Sequence, residues 1–228
     1  MKQIAFDEHV KIFLTDKADG NMKNPKLDRW VTPSINENRL TLFSAAGLTE
    51  EDIALIKVDY SRDDFAVYRW IEEKSDALVD IQVQNLVPSD GLATRCSGVG
   101  IFLPLADCMG AVIYDTKENI LMVVHSGRHN LEQEGLSKAV QFLQRFGSRS
   151  ENLIVWLSPS AGRGNYPVLS MGNRSLEEIG RAQLMEAGVT EIFSENIDTT
   201  MDERYFSHSS GDTEARFAIL AILADVIK

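Results

Sequence analysis

The 228-residue sequence contains only two cysteines, Cys96 and Cys108, too few for a disulfide-built scaffold and in keeping with reduced thiols. It has no run approaching roughly 18 uncharged apolar residues, so it offers no candidate membrane-spanning helix. The opening MKQIAFDEHVKIFLTDK lacks an apolar core of signal-peptide length, and a cytoplasmic protein is expected. Positive charge is scarce: 23 Lys and Arg against 34 Asp and Glu leave a net charge of -11. Such a field repels phosphate backbones and anionic membrane surfaces, so neither nucleic acid nor membrane is expected as a partner, although a local basic pocket stays open. There is no internal repeat and no low-complexity tract. The loops GNMKNPK, VPSDG and SPSAGRGN are short, and one domain over residues 1–228 is expected.

What the chain does have is a series of strand-like stretches rich in Val, Ile and aromatics. They are Lys11–Thr15, then IALIKVDY, FAVYRW, ALVDIQV, VGIFLPL, GAVIYD, NILMVVHS and NLIVWLS. Ser34 with Glu37 reads as a capping box for a helix over Ile35 to Ala46. Leu131, Leu136, Val140 and Leu143 lie close to a 3.6 period and predict a helix over Leu131 to Phe146, stopped by Gly147. Ser175 and Gly188 bracket a third helix. Thr213 to Ile227, apolar almost all round, reads as a last, buried helix. The fold class is therefore α/β (α+β), with mixed, largely antiparallel sheets layered against helices.

Chemistry concentrates between Ala106 and Gly127. Asp115-Thr116-Lys117-Glu118-Asn119 is a polar turn of hairpin length, so Gly110–Asp115 and Asn119–Ser126 are expected to pair antiparallel. That pairing carries Cys108 and His125 to the same end of the hairpin, with Asp107 beside them. A thiol, a carboxylate and an imidazole together are the raw material for a metal site or a cysteine nucleophile.

The motifs SDGLAT (89–94), LADC (105–108), VVHSG (123–127), SPSAGRGNYPV (158–168) and YFSHSSGDTEAR (205–216) give the chain a resemblance that covers most of its length. In order and spacing they resemble the laccase-domain family, also described as multicopper polyphenol oxidoreductases and as purine nucleoside phosphorylases. The resemblance implies mixed sheets similar to cysteine-hydrolase-like toxin domains, and a zinc site of two histidines and one cysteine. It also implies phosphorolysis of purine nucleosides and adenosine deamination, with laccase-type oxidation and copper as the weaker alternative.

The chain departs from that pattern in ways that bear on the same site. The family's upstream histidine falls in Val58-Asp59-Tyr60-Ser61-Arg62-Asp63, and no histidine occurs between His9 and His125. The family's His-Ala-Gly-Trp-Arg-Gly becomes His125-Ser126-Gly127-Arg128-His129-Asn130. The arginine expected after the Phe-Ser-His element is Ser209 or Ser210. A catalytic zinc ordinarily takes three protein ligands and a water, so Cys108 and His125 alone hold it weakly. Asp59, His129 and Asp107 are the candidate third ligands; strand alternation turns Asp107 away from Cys108, which leaves His129 as the substitute of most interest.

Plainer readings stand beside these. On residue type alone Cys108 is a small buried hydrophobe, His125 a core histidine bonded to a carbonyl and Asp107 a turn cap, while Arg128 and Arg163 are solvated charges. In the motif context, Cys108, His125 and Asp107 become the catalytic candidates. Arg128, Arg163 and His208 become ligands for a nucleoside and phosphate, and Cys108, His125 and His129 become the metal candidates. Three functions follow: a phosphorylase with a degenerate zinc site, a metal-free cysteine-histidine hydrolase, or a non-catalytic descendant that binds a small molecule or protein.

Overall fold

The computed structural model describes residues 1–23, 33–74 and 87–224. Among them, two sheets stack face to face. The first has the order β1 (Lys2–Asp7), β2 (Val10–Leu14), β11 (Phe217–Leu223), β6 (Gly100–Leu105), β3 (Ile53–Leu55). The second runs β10 (Glu191–Ser194), β9 (Leu153–Leu157), β7 (Met109–Asp115), β8 (Ile120–Ser126), β5 (Gly91–Thr94), β4 (Tyr68–Ile71). Inner pairings are antiparallel, and the parallel ones, β3 on β6, β10 on β9 and β4 on β5, all involve an edge strand. Helix α1 (Pro33–Ala45) covers the first sheet. Helices α2 (Arg128–Glu132), α3 (Gly135–Gln144) and α4 (Leu176–Glu186) cover the second.

Strand alternation sorts the core into three layers. On β7 and β8, Val112, Tyr114, Leu121 and Val123 face the first sheet, while Ala111, Ile113, Met122 and Val124 face the helices. On β11, Phe217, Ile219 and Ala221 fill the gap between sheets and Ala218, Leu220 and Ile222 meet α1. The sheets approach closely at Gly110, where a Cβ would collide with the Ile219 side chain.

The last helix expected from sequence is therefore a strand. Its core is β11, central in the first sheet, and residues 225–228 lie outside the described residues. A strand buried on both faces reads as a continuous apolar run, which periodicity does not separate from a buried helix. The helix over Leu131 to Phe146 is split, because Glu134 adopts a left-handed φ of 59° between α2 and α3. The first helix starts at Pro33, so Ser34 lies inside it rather than capping it. The third is as expected: Ser175 and Glu178 form a reciprocal capping box and Gly188 follows with φ 89°. IALIKVDY pairs only over Ile53–Leu55, and the ALVDIQV stretch lies outside the described residues. No helix among the described residues is long and apolar enough to cross a membrane.

The β7–β8 hairpin sets the site. Asp115 Oδ1 accepts the Lys117 and Glu118 amides at 2.8 and 2.9 Å, and Asn119 takes the left-handed turn position at φ 53°. The register places Gly110 opposite His125 and Met109 opposite Ser126. Cys108 is thus one step beyond the paired residues, at the open end of the sandwich.

Candidate active site

A pocket of about 370 Å³ opens at that end, between the β6–β7 turn, the end of β8 and the start of α2. Asp107, Cys108, His125, Arg128, His129 and His208 all line it, so the structure brings six of the seven sequence candidates together. Arg163 is apart: its side chain is 67% exposed and lies 3.9 Å from Glu178 at the start of α4. Sequence reasoning did not single out Tyr60, Phe65, Tyr166 and Arg216 as pocket residues. Arg216 stood in the YFSHSSGDTEAR motif, and Tyr60 in the segment searched for a histidine.

Gly127 is the contact point between the thiol and the imidazole. A Cβ placed there would lie 2.9 Å from His125 Cε1 and 3.0 Å from Cys108 Sγ, so the two side chains flank one small gap that only glycine leaves open. His125 is 5% exposed, and burial lowers its pKa to about 4, leaving a neutral imidazole at pH 7. The Cys108 thiol is pushed up to about 11, first by burial and then by the neighbouring Asp107 charge; Tyr60, Arg216 and Arg128 pull the other way. Cys108 is therefore a protonated thiol at neutral pH.

Asp107 has φ 73°, a left-handed conformation that Asp tolerates better than most residues. Oδ1 accepts the Thr199 hydroxyl at 2.8 Å, and Oδ2 accepts the Ser209 amide and hydroxyl at 2.7 and 2.6 Å. These bonds tie the β6–β7 turn to the loop that carries His208.

The opposite wall is the segment 59–67, pinned at several points. Arg62 donates to the buried Asp90 carboxylate at 3.0 and 3.2 Å, and Asp90 also accepts the Val67 amide. The Asp90 carbonyl accepts the His125 amide at 2.7 Å, coupling this anchor to β8. Asn130 Nδ2 donates to the Phe65 carbonyl at 2.7 Å, and Gln133 accepts the Phe65 amide at 2.9 Å and donates to the Asp63 carbonyl. The Phe65 ring stacks on His129 with centroids 4.8 Å apart. Tyr60 meets His125 edge-on, with ring centroids 6.2 Å apart.

The donor set does not fit a three-ligand zinc or copper centre. His129, the expected substitute, is stacked on Phe65 and its Nδ1 faces Glu132 at 3.4 Å. Asp59 closes a local turn by accepting the Ser61 amide and hydroxyl, and Asp107 is engaged as described. Among the described residues no group of three His, Cys, Asp or Glu side chains is arranged to hold a metal ion.

The family model for multi-copper polyphenol oxidoreductase laccase matches residues 28–174. The chain belongs to that family. It is 24% identical over 152 residues to a purine nucleoside phosphorylase of Mycobacterium tuberculosis, covering 58% of this chain and 61% of that protein. It is 28% identical over 123 residues to adenosine deaminase RL5 from an unknown prokaryote, covering 54% of this chain and 45% of that one. These matches span less than two thirds of either relative's length. The fold agrees with the crystal structure of YlmD from Geobacillus stearothermophilus at a TM-score of 0.83 and 21% identity, over 96% of this chain and 93% of that one.

Proposed function

We propose that this pocket binds a purine nucleoside with inorganic phosphate and catalyses phosphorolysis of the glycosidic bond. The observation that carries the reading is the convergence, in one pocket, of two guanidinium groups with an aromatic wall and neutral hydrogen-bonding groups. Arg128 and Arg216 suit a phosphate, since arginine presents forked donors to an oxyanion. Tyr60, Phe65 and Tyr166 suit the flat face of a base. In the reaction, a phosphate oxygen bonds to C1′ of the ribose as the C1′–N bond breaks. The electron pair leaves with the purine, which needs a proton or hydrogen bond as it departs. Neutral His125 presents one donor and one acceptor, and the Cys108 thiol is a further donor. Holding both reactants in register is the larger contribution such a site makes.

The metal-free hydrolase is the poorer reading. A cysteine nucleophile needs its thiolate, and a thiol near pKa 11 beside an imidazole near 4 keeps its proton at neutral pH. Multicopper oxidation is poorer still, because four histidines in the whole chain are a thin donor set for several copper ions.

The test is incubation with inosine or adenosine, with and without phosphate, followed by chromatography. Phosphate-dependent release of free base and ribose 1-phosphate, lost in Cys108→Ala and His125→Ala, is the expected result. Inosine formed from adenosine identifies deamination instead. Phosphate-independent turnover blocked by a thiol alkylating agent identifies the hydrolase, and no turnover by a folded protein identifies a binding role.

A further inference from the structure

An ion pair stands behind the aromatic wall of the pocket. The Asp90 side chain is 0% exposed, immediately before β5, and Arg62 lies between Tyr60 and Phe65 in the segment that forms the wall. Arg62 Nη2 donates to both carboxylate oxygens at 3.0 and 3.2 Å, and the Val67 amide donates to one of them at 3.1 Å. The same guanidinium donates to the carbonyls of Asp59 at 3.3 Å and Pro88 at 3.4 Å. Through its backbone, Asp90 accepts the His125 amide at 2.7 Å. One residue therefore touches both the segment that carries Tyr60 and Phe65 and the imidazole's own backbone. We infer that Asp90 and Arg62 are positioning residues: the pair fixes the aromatic wall relative to His125, and so sets affinity for the nucleoside without setting affinity for phosphate.

Replacing a buried ion pair by apolar residues of the same volume often costs no stability, so what this pair contributes is one fixed geometry. Asn130 and Gln133 hold Phe65 and Asp63 to α2, which leaves Tyr60 outside their reach. Without Arg62 the segment stays tethered on its α2 side and is released on its β5 side. Tyr60, 64% exposed, then moves most, while Phe65 is kept by its stack on His129. A displacement of about 1 Å at a positioning group can cost on the order of a hundredfold. The arginines assigned to phosphate stand on other elements, Arg128 at the start of α2 and Arg216 just before β11, so the anion half of the pocket keeps its shape. The fork also explains the choice of arginine, since a lysine at 62 restores the charge but not the planar set of donors.

The inference rests on the phosphorylase reading for its ligand, so it is tested both with and without one. Arg62→Ala, Arg62→Lys and Asp90→Asn are made in the full chain, and inosine and inorganic phosphate are titrated separately by calorimetry. Arg62→Ala is expected to bind inosine about tenfold or more weakly with phosphate affinity unchanged, and Arg62→Lys to fall between it and wild type. Asp90→Asn removes the counter-charge at constant shape and is expected to follow Arg62→Ala; if it does not fold, the Arg62 variants decide, since that side chain is 21% exposed. Added ethylguanidinium, which fills the space left by the shortened side chain, is expected to restore inosine affinity to Arg62→Ala alone. A general loss of stability does not respond in that way. In the ligand-free protein, hydrogen exchange at the Phe65 and Val67 amides is expected to quicken in Arg62→Ala while β7 and α4 keep their protection. Equal weakening of inosine and phosphate, or inosine affinity that does not move, overturns the inference. A wild type that binds no inosine sinks the phosphorylase reading, and exchange then judges the wall by itself: quicker exchange upholds its positioning by the pair, and unaltered exchange overturns that too.

Discussion

Asp107 and Ser209, more than a hundred residues apart in sequence, are joined twice: one carboxylate oxygen accepts both the Ser209 amide at 2.7 Å and its hydroxyl at 2.6 Å. The other oxygen holds Thr199. Since Cys108 follows Asp107 directly and His208 precedes Ser209, this link fixes two walls of the pocket against each other. With three donors on its carboxylate, Asp107 is placed to hold these two walls together.

Replacing Asp107 by Ala strands those donors and leaves a β-carbon in a left-handed conformation. Each unsatisfied buried group costs about 1–3 kcal/mol, so a loss of several kcal/mol of stability is expected, read by denaturant unfolding. Asp107→Asn keeps an acceptor and tolerates the conformation, so it is expected to lose clearly less. Equal losses in the two variants would remove the hydrogen bonds as the cause.

Gly127→Ala tests the gap between thiol and imidazole. The backbone there is extended, with φ -79° and ψ 174°, so alanine carries no conformational strain. The added methyl must displace His125 or Cys108, each of which it would approach at 3 Å or less. Activity is expected to fall by about tenfold or more, with stability reduced by about 1–3 kcal/mol as for other overpacked sites. Unchanged kinetics would mean that the pair takes no part in turnover.

Arg128→Met tests the anion site. Arg128 is exposed at the pocket mouth, yet close enough to favour the charged forms of Cys108 and Tyr166. A charge-assisted hydrogen bond contributes about 1.5–3 kcal/mol, so KM for phosphate is expected to rise about tenfold or more while the melting temperature stays put. A KM for phosphate that does not move would leave Arg216 as the remaining guanidinium for the role.

The hairpin was legible because its turn chemistry and its two apolar runs agree, and that agreement alone brings Cys108 to His125. The β11 strand was not legible, since Phe217–Leu223 is apolar on both faces and carries no period to read. Strand β5 passed unread as structure because GLAT is short and lacks flanking alternation. In the site, Arg216 and Tyr166 sat in recognised motifs, but their direction depends on loop paths that spacing does not encode. Tyr60 was the least visible: its place in the pocket wall depends on how Arg62, Asn130 and Gln133 pin segment 59–67, through partners distant in sequence.

His125 should make stability depend on pH in a defined window. Its ordinary pKa of 6.5 is lowered to about 4 by burial. Below pH 6.5 the unfolded chain takes up a proton that the folded chain refuses, so stability falls as pH drops from 6.5 toward 4 and this contribution levels off below that. The full effect of such a shift is roughly 3 kcal/mol. Asp90, whose pKa is raised by burial, pulls in the opposite direction, and carboxylates held low, such as Asp52 and Asp212, act only further into acid. The decisive measurement is therefore the difference between wild type and His125→Gln in urea unfolding from pH 7 to pH 4. The variant is expected to lose less stability across that window than wild type. Parallel curves would show that the imidazole is not held neutral by burial, and would reopen the thiolate–imidazolium pair that the hydrolase reading requires.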